Sequence, residues 1–170
     1  MTKKQERFSE CSRLALFLAQ QEAEKLGHSE IGTEHLLFGL IQTETSVAAS
    51  VLKEYPVDGN QINTFIKQMS YIRKRKPGTK ITVSGNVKRA LSLAVDEARV
   101  MNFNIIMTGH LLLGILDLKP GKLTEILMWL GWVETERDIV FELLDRSNVD
   151  PDELQQRLMN VLRQSAGSEE

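Results

Sequence analysis

The residues best equipped for chemistry are three histidines, one cysteine and a run of four cations, and none stands in the company that catalysis needs. A zinc site takes three or four converging ligands. Neither an H-E-x-x-H string nor a Cys/His cluster accompanies His28, His35 or His110, so these are expected to make structural hydrogen bonds. Cys11 would act as a nucleophile only beside a base and an orienting acid. Four residues ahead of Ala15 in a helical pattern, it reads as buried packing. Pro120-Gly121-Lys122-Leu123 is the nearest approach to a phosphate-binding loop, and it lacks both the upstream Gly of G-x-x-x-x-G-K-[ST] and the hydroxyl after the Lys. No catalytic residue, cofactor site or metal site is assigned, and the chain reads as a non-enzyme.

Arg73-Lys74-Arg75-Lys76 is the sharpest charge feature, suited to phosphates or to an acidic partner surface, or else simply a solvated linker. Only Tyr71 lies nearby to stack on a base, so nucleic acid is not expected as the partner. Trp129 and Trp132 flank Gly131 and either fill core or anchor an interface.

These residues have to be positioned by a chain of 170 residues, one domain's worth. With 42% hydrophobic and 26% charged residues it has the composition of a globular protein. A chain of this size buries roughly 70% of its unfolded surface and needs no disulfide or metal to hold its core. The single cysteine agrees, and excludes a secreted disulfide scaffold in favour of a reducing compartment. No apolar run approaches the roughly 18 residues of a membrane span, and the first residues lack a signal or transit composition, so no membrane role is expected. The expected location is the cytoplasm, with the plastid stroma as second choice. Net charge is -2, but residues 1–82 hold 12 basic against 9 acidic residues and residues 83–170 hold 9 against 14.

Sliding the chain by 75 residues aligns Glu10–Leu40 with Gly85–Ile115 without a gap, and over a third of the positions are identical. The matches include Ala15/Ala90, Glu22/Glu97, Thr33/Thr108, His35/His110 and Gly39/Gly114. The unit is helical. Leu14, Leu18, Ala15, Ala19 and Ala23 form one apolar stripe, with Ser9 as N-cap and Gly27 just past the C-terminus. A second helix starts at Thr33, whose hydroxyl is expected to cap it, with Glu34 favourably placed at the positive end of the dipole. Further helices are expected at about 46–54 and 59–69. The second unit repeats the pattern at about 84–101, 108–116 and 122–130, continues at 133–146, and adds a helix opened by Asp150-Pro151-Asp152-Glu153. This divides one domain, 1–170, into repeat one (7–70), a basic linker (71–83), repeat two (84–164) and a flexible tail (165–170). The tail, Ser165 to Glu170, reads as a natural polar terminus.

The strings Leu26-Gly27-His28, Ile31-Gly32-Thr33-Glu34-His35-Leu36-Leu37-Phe38-Gly39-Leu40 and Val47-Ala48-Ala49-Ser50-Val51-Leu52 resemble the Clp N-terminal repeat, over about residues 6–131. That module comes in pairs at the front of Clp-type AAA+ unfoldases, especially the ClpC branch. The resemblance implies an all-α, pseudo-twofold tandem of two four-helix repeats, with an extra helix in the second. It also implies docking of adaptors and substrates for a Clp unfoldase or protease. Without a Walker sequence the chain is similar in design to small Clp protease accessory proteins, with a monomer as the expected state.

In some relatives each repeat holds a pocket for phosphorylated arginine, built from a hydroxyl at the start of helix one and the Glu of the GTEH string. The matching positions are Ser9 and Glu34, and a hydroxyl with a carboxylate suits a guanidinium group. The alternative is that Ser9 and Thr33 only cap helices and Glu34 only complements a dipole. Repeat two departs from the pattern, with Ser84 retained but Gly109 in place of the acid and Met107 in place of the Gly. The alternative function is an independent peptide or phosphoarginine-protein binding module.

Overall fold

The computed structural model describes residues 7–57, 59–69, 80–118 and 139–166. Each repeat is built on a pair of helices in close contact. In repeat one these are α1 (Glu10–Lys25) and α2 (Thr33–Gln42), and in repeat two α5 (Gly85–Val100) and α6 (Thr108–Leu116). Ala15, Ala19 and Ala23 are buried on α1, as are Ala90, Ala94 and Ala98 on α5. The close approach has a specific cause: a Cβ on Gly39 would collide with the carbonyl oxygen of Ala15, and one on Gly114 with that of Ala90. Bare backbone therefore meets backbone at matching points of both repeats.

This intimacy revises the apolar stripe expected on α1. The alanines face the core, while Leu14 is 47% exposed and Leu18 half-buried, because the close crossing admits methyl groups and excludes larger side chains. Cys11 is likewise half-buried and not fully packed away. Leucines fill the other side of the crossing. Leu36, Leu37, Leu40, Leu111, Leu112 and Leu113 are all at most 1% exposed, each contributing about 1.5–3 kcal/mol by burial.

The first helix of each pair ends the same way. Gly27, at φ +69°, closes α1 in the left-handed conformation, and Asn102, at φ +60°, does so for α5. Glycine pays no steric penalty there, and Asn is among the few other residues that visit this region routinely.

The repeats are stitched by exchange. β1 (Glu30–Ile31), leading into α2, pairs in parallel with β2 (Thr82–Val83), leading into α5, with Ile31 opposite Val83. Phe8, ahead of α1, pairs in parallel with Ile106, ahead of α6. Shifting Phe8 by 75 gives position 83, and Ile106 returns to 31, so the two pairings are the same contact related by the pseudo-twofold. The linker read from 71 to 83 therefore ends in a strand at its last two residues, because the entry to each repeat satisfies its backbone groups on the other repeat. The architecture remains helical, with these short ladders as seams.

α3 (Val47–Leu52), capped by Ser46, and α4 (Gly59–Met69) complete repeat one. α7 (Ile139–Arg146) and α8 (Pro151–Ala166) follow in repeat two. Pro151 opens α8, where its missing N–H costs nothing. Leu154, Leu158 and Leu162, all 0% exposed, form its inward stripe. α8 packs on both α3 and α6 and has no counterpart in repeat one, so it spans the two halves of one continuous core. Ser165 and Ala166, expected in the tail, still belong to this helix. The expected helix at 122–130, the start of the one at 133–146, Arg73-Lys74-Arg75-Lys76, Trp129 and Trp132 lie outside the described residues.

Candidate functional site

Ser9 caps α1 as its sequence position suggests. Its Oγ accepts the N–H of Ser12 at 3.1 Å and lies 2.9 Å from the Ser12 hydroxyl, which in turn donates to the carbonyl of Ile106 at 2.9 Å. The backbone N–H of Ser9 also donates to Ile106 O, at 3.0 Å. Ser9 is thus tied to repeat two. By the exchange of lead-in segments it is Ser84 whose N–H reaches Ile31 O, at 3.1 Å, beside the segment that carries Glu34. The seam ties the start of each helix one to the opposite repeat.

Thr33 is not the cap of α2. Gly32 holds that position, without a side-chain bond, and Thr33 is the first helical residue, 3% exposed. His35 does the capping instead. Its Nδ1 accepts the Gly32 N–H at 2.9 Å, so an imidazole at the third helical position replaces the Glu or Gln of a capping box. His110 does the same for the N–H of Met107, at 3.0 Å. The structural role expected for both histidines is the one they occupy. The hydroxyl of Thr108 works across the repeats, accepting the N–H of Ala48 in the first turn of α3 at 3.3 Å.

With Nδ1 of His35 accepting from Gly32, its Nε2 is the donor in the hydrogen bond to His28 Nδ1, 2.8 Å away. The two rings meet edge-on with centroids 4.8 Å apart. Repeat two places Phe103 against His110 at the same 4.8 Å. The packing therefore needs only a ring, and His28 adds an acceptor where Phe103 offers a π face. Burial holds His110 well below the usual imidazole range, at about 4.

Glu34 is 4% exposed, and its carboxylate folds back over Gly32 to within 3.3 Å of His35 Nδ1. His28, Glu34 and His35 thereby bring ligand-type atoms within 4.8 Å of one another, a convergence that sequence spacing did not reveal. Repeat alignment held a signal, since Phe103 and Gly109 replace His28 and Glu34. As a metal centre the set fits poorly: both nitrogens of His35 are already committed, one to Gly32 and one carrying a proton, so only two ligands remain. The arrangement is a buried hydrogen-bonded helix start.

Repeat two lacks this acid for a visible reason. Gly109 lies under Leu162 of α8, and even a Cβ there would press on the leucine side chain. The helix without a counterpart covers the place where repeat one keeps its carboxylate.

Among known families, the Clp repeat (R) N-terminal domain matches residues 7–130. The chloroplastic chaperone protein ClpC1 of Oryza sativa subsp. japonica is 36% identical over 126 residues, 74% of this chain and 14% of that protein. The chain thus spans about a seventh of the curated relatives it matches. Among solved structures, the N-terminal domain of ClpD from Arabidopsis thaliana superposes with a TM-score of 0.67 at 20% identity, covering 92% of this chain and 98% of that one. A ClpV N-domain in complex with a VipB peptide gives 0.60 at 18% identity, covering 92% and 87%. These last two likenesses concern the fold.

Proposed function

The chain belongs to the Clp repeat N-terminal domain family, and from that premise we propose that it is a non-enzymatic protein-docking module. In this reading it acts as an adaptor or modulator of a Clp unfoldase or protease, holding Clp subunits, their adaptors or substrate proteins. The observation that carries this is a difference between its own repeats. Leu14 and Phe17 on the outer face of α1 are 47% and 55% exposed, whereas the matching positions of α5 are Arg89 and Ser92. The fold builds the same helix without these apolar side chains, so packing does not account for them, and exposed apolar groups of this kind are what protein partners cover. The polar groups of the GTEH string, by contrast, lie buried among internal hydrogen bonds and serve the helix starts. A related fold holding the VipB peptide in the ClpV N-domain supports the same direction.

Affinity capture from the native cell, with wild type and Leu14→Ser/Phe17→Ser as baits, tests this. Clp subunits, adaptors or shared substrates should be retained by wild type and lost by the variant. Recovery of none of them by wild type ends the proposal.

A further inference from the structure

The 37 residues from 59 to 95 hold eight lysines and arginines and not one acid, while the other 133 residues hold 13 cations and 23 anions. Three of the eight cations stand exposed on the described surface at the second seam: Lys80 ahead of β2, and Lys88 and Arg89 in the second turn of α5. Glu30, in register with Thr82 across the ladder, is the acid two residues from Lys80 in that register. Lys88 and Arg89 form no ion pair among the described residues.

Fold does not demand this charge. Repeat one opens its equivalent helix with Glu10, an acid that complements the helix dipole, and carries Arg13 and Leu14 where α5 carries Lys88 and Arg89. α5 has no acid in its first turn, so two adjacent cations add to a helix end that is already positive. The chain leaves uncompensated here a field that it balances at the matching place in its other half.

Resting on the docking role proposed above, we infer that the start of α5, through Lys88 and Arg89, is the contact for an acidic segment of a partner protein. The recognition is by charge, with the planar fork of Arg89 suited to bidentate contact with a carboxylate. Residues 80–95 contain no aromatic side chain, so the face offers bases nothing to stack on, and an acidic peptide fits it better than a nucleic acid. It also lies on a different repeat from Leu14 and Phe17, giving the partner a polar contact separate from its apolar one.

Fluorescence anisotropy with a labelled oligo-glutamate peptide tests the assignment, with oligothymidylate as the competing anion. The peptide should bind at low ionic strength and fade as salt rises. Lys88→Glu/Arg89→Glu should weaken it about tenfold or more, with thermal unfolding unchanged or slightly raised, because both side chains are exposed and an acid suits the positive start of the helix. Arg13→Glu, the equivalent change on α1, should leave it intact. Equal peptide binding by the Lys88/Arg89 variant, or tighter binding of oligothymidylate than of oligo-glutamate, overturns the assignment. Failure of wild type to capture any Clp component overturns the docking role itself, whereas intact capture with no peptide discrimination removes only the acidic contact.

Discussion

The carboxylate of Glu34 stands in the space that a side chain on Gly32 would need. Repeat two resolves the same crowding in the opposite sense, with Met107 carrying the side chain and Gly109 giving up the acid. Gly32→Met alone should destabilise the protein by about 2 kcal/mol, because a buried carboxyl side chain would have to move. Adding Glu34→Gly should restore part of that loss. Urea unfolding of the two single variants and the double variant gives the coupling, expected to be favourable by about 1 kcal/mol.

Gly39→Ala and Gly114→Ala should each cost about 2–4 kcal/mol, since the group they strike is a helix carbonyl and not a side chain free to rotate. Gly85→Ala, where the added methyl meets nothing within 4 Å, should leave stability unchanged or slightly raised. Thermal denaturation monitored by circular dichroism ranks the three.

His110 makes stability depend on acid. Burial lowers its pKa in the folded protein from 6.5 to about 4, so the native state stays unprotonated while the unfolded chain takes up a proton below about 6.5. The contribution is complete above that pH and is lost progressively as pH falls toward 4. His110→Gln keeps an acceptor for the Met107 N–H and removes the titration. Its unfolding free energy should fall less steeply over that range than that of wild type.

Leu162→Ala should cost about 2–5 kcal/mol through the cavity it opens over Gly109. Glu54→Gln, which weakens the bond from Arg157 at 2.7 and 2.8 Å, should barely move the unfolding midpoint, because that pair is exposed to water. Comparing the two in one denaturation series separates the packing of α8 from its surface contacts.

Replacing Arg73, Lys74, Arg75 and Lys76 by Gln tests the basic run as a contact for Clp partners. The variant should fold normally and retain less of any Clp component in affinity capture than wild type does. Undiminished retention assigns the run to solvent.

Much of the helical framework was legible in one dimension, because its causes are local. Ser9 and Ser84 announce helix starts through hydroxyls that satisfy the next N–H groups, and Pro151 opens a helix because its ring already holds the right φ. Gly27 marks the stop of α1. The tandem repeat set the number of packed units, and the string from Gly32 to Leu40 with its neighbours carried the resemblance to the family.

Which repeat touches which was not legible. The pairing of Phe8 with Ile106 and of Ile31 with Val83 joins segments far apart in the chain, through backbone groups whose hydrogen bonds depend little on side-chain identity. That exchange ties Ser9 to Ile106 and Ser84 to Ile31. Likewise, the convergence of His28, Glu34 and His35 depends on how the turn between α1 and α2 folds back, and the loss of repeat two's acid on where α8 lands. Local patterning determined the elements and their ends. Only the crossing of helix on helix, where Gly39 meets Ala15 and Leu162 meets Gly109, decided which groups are buried together and which remain for a partner, because burial is a property of neighbours in space.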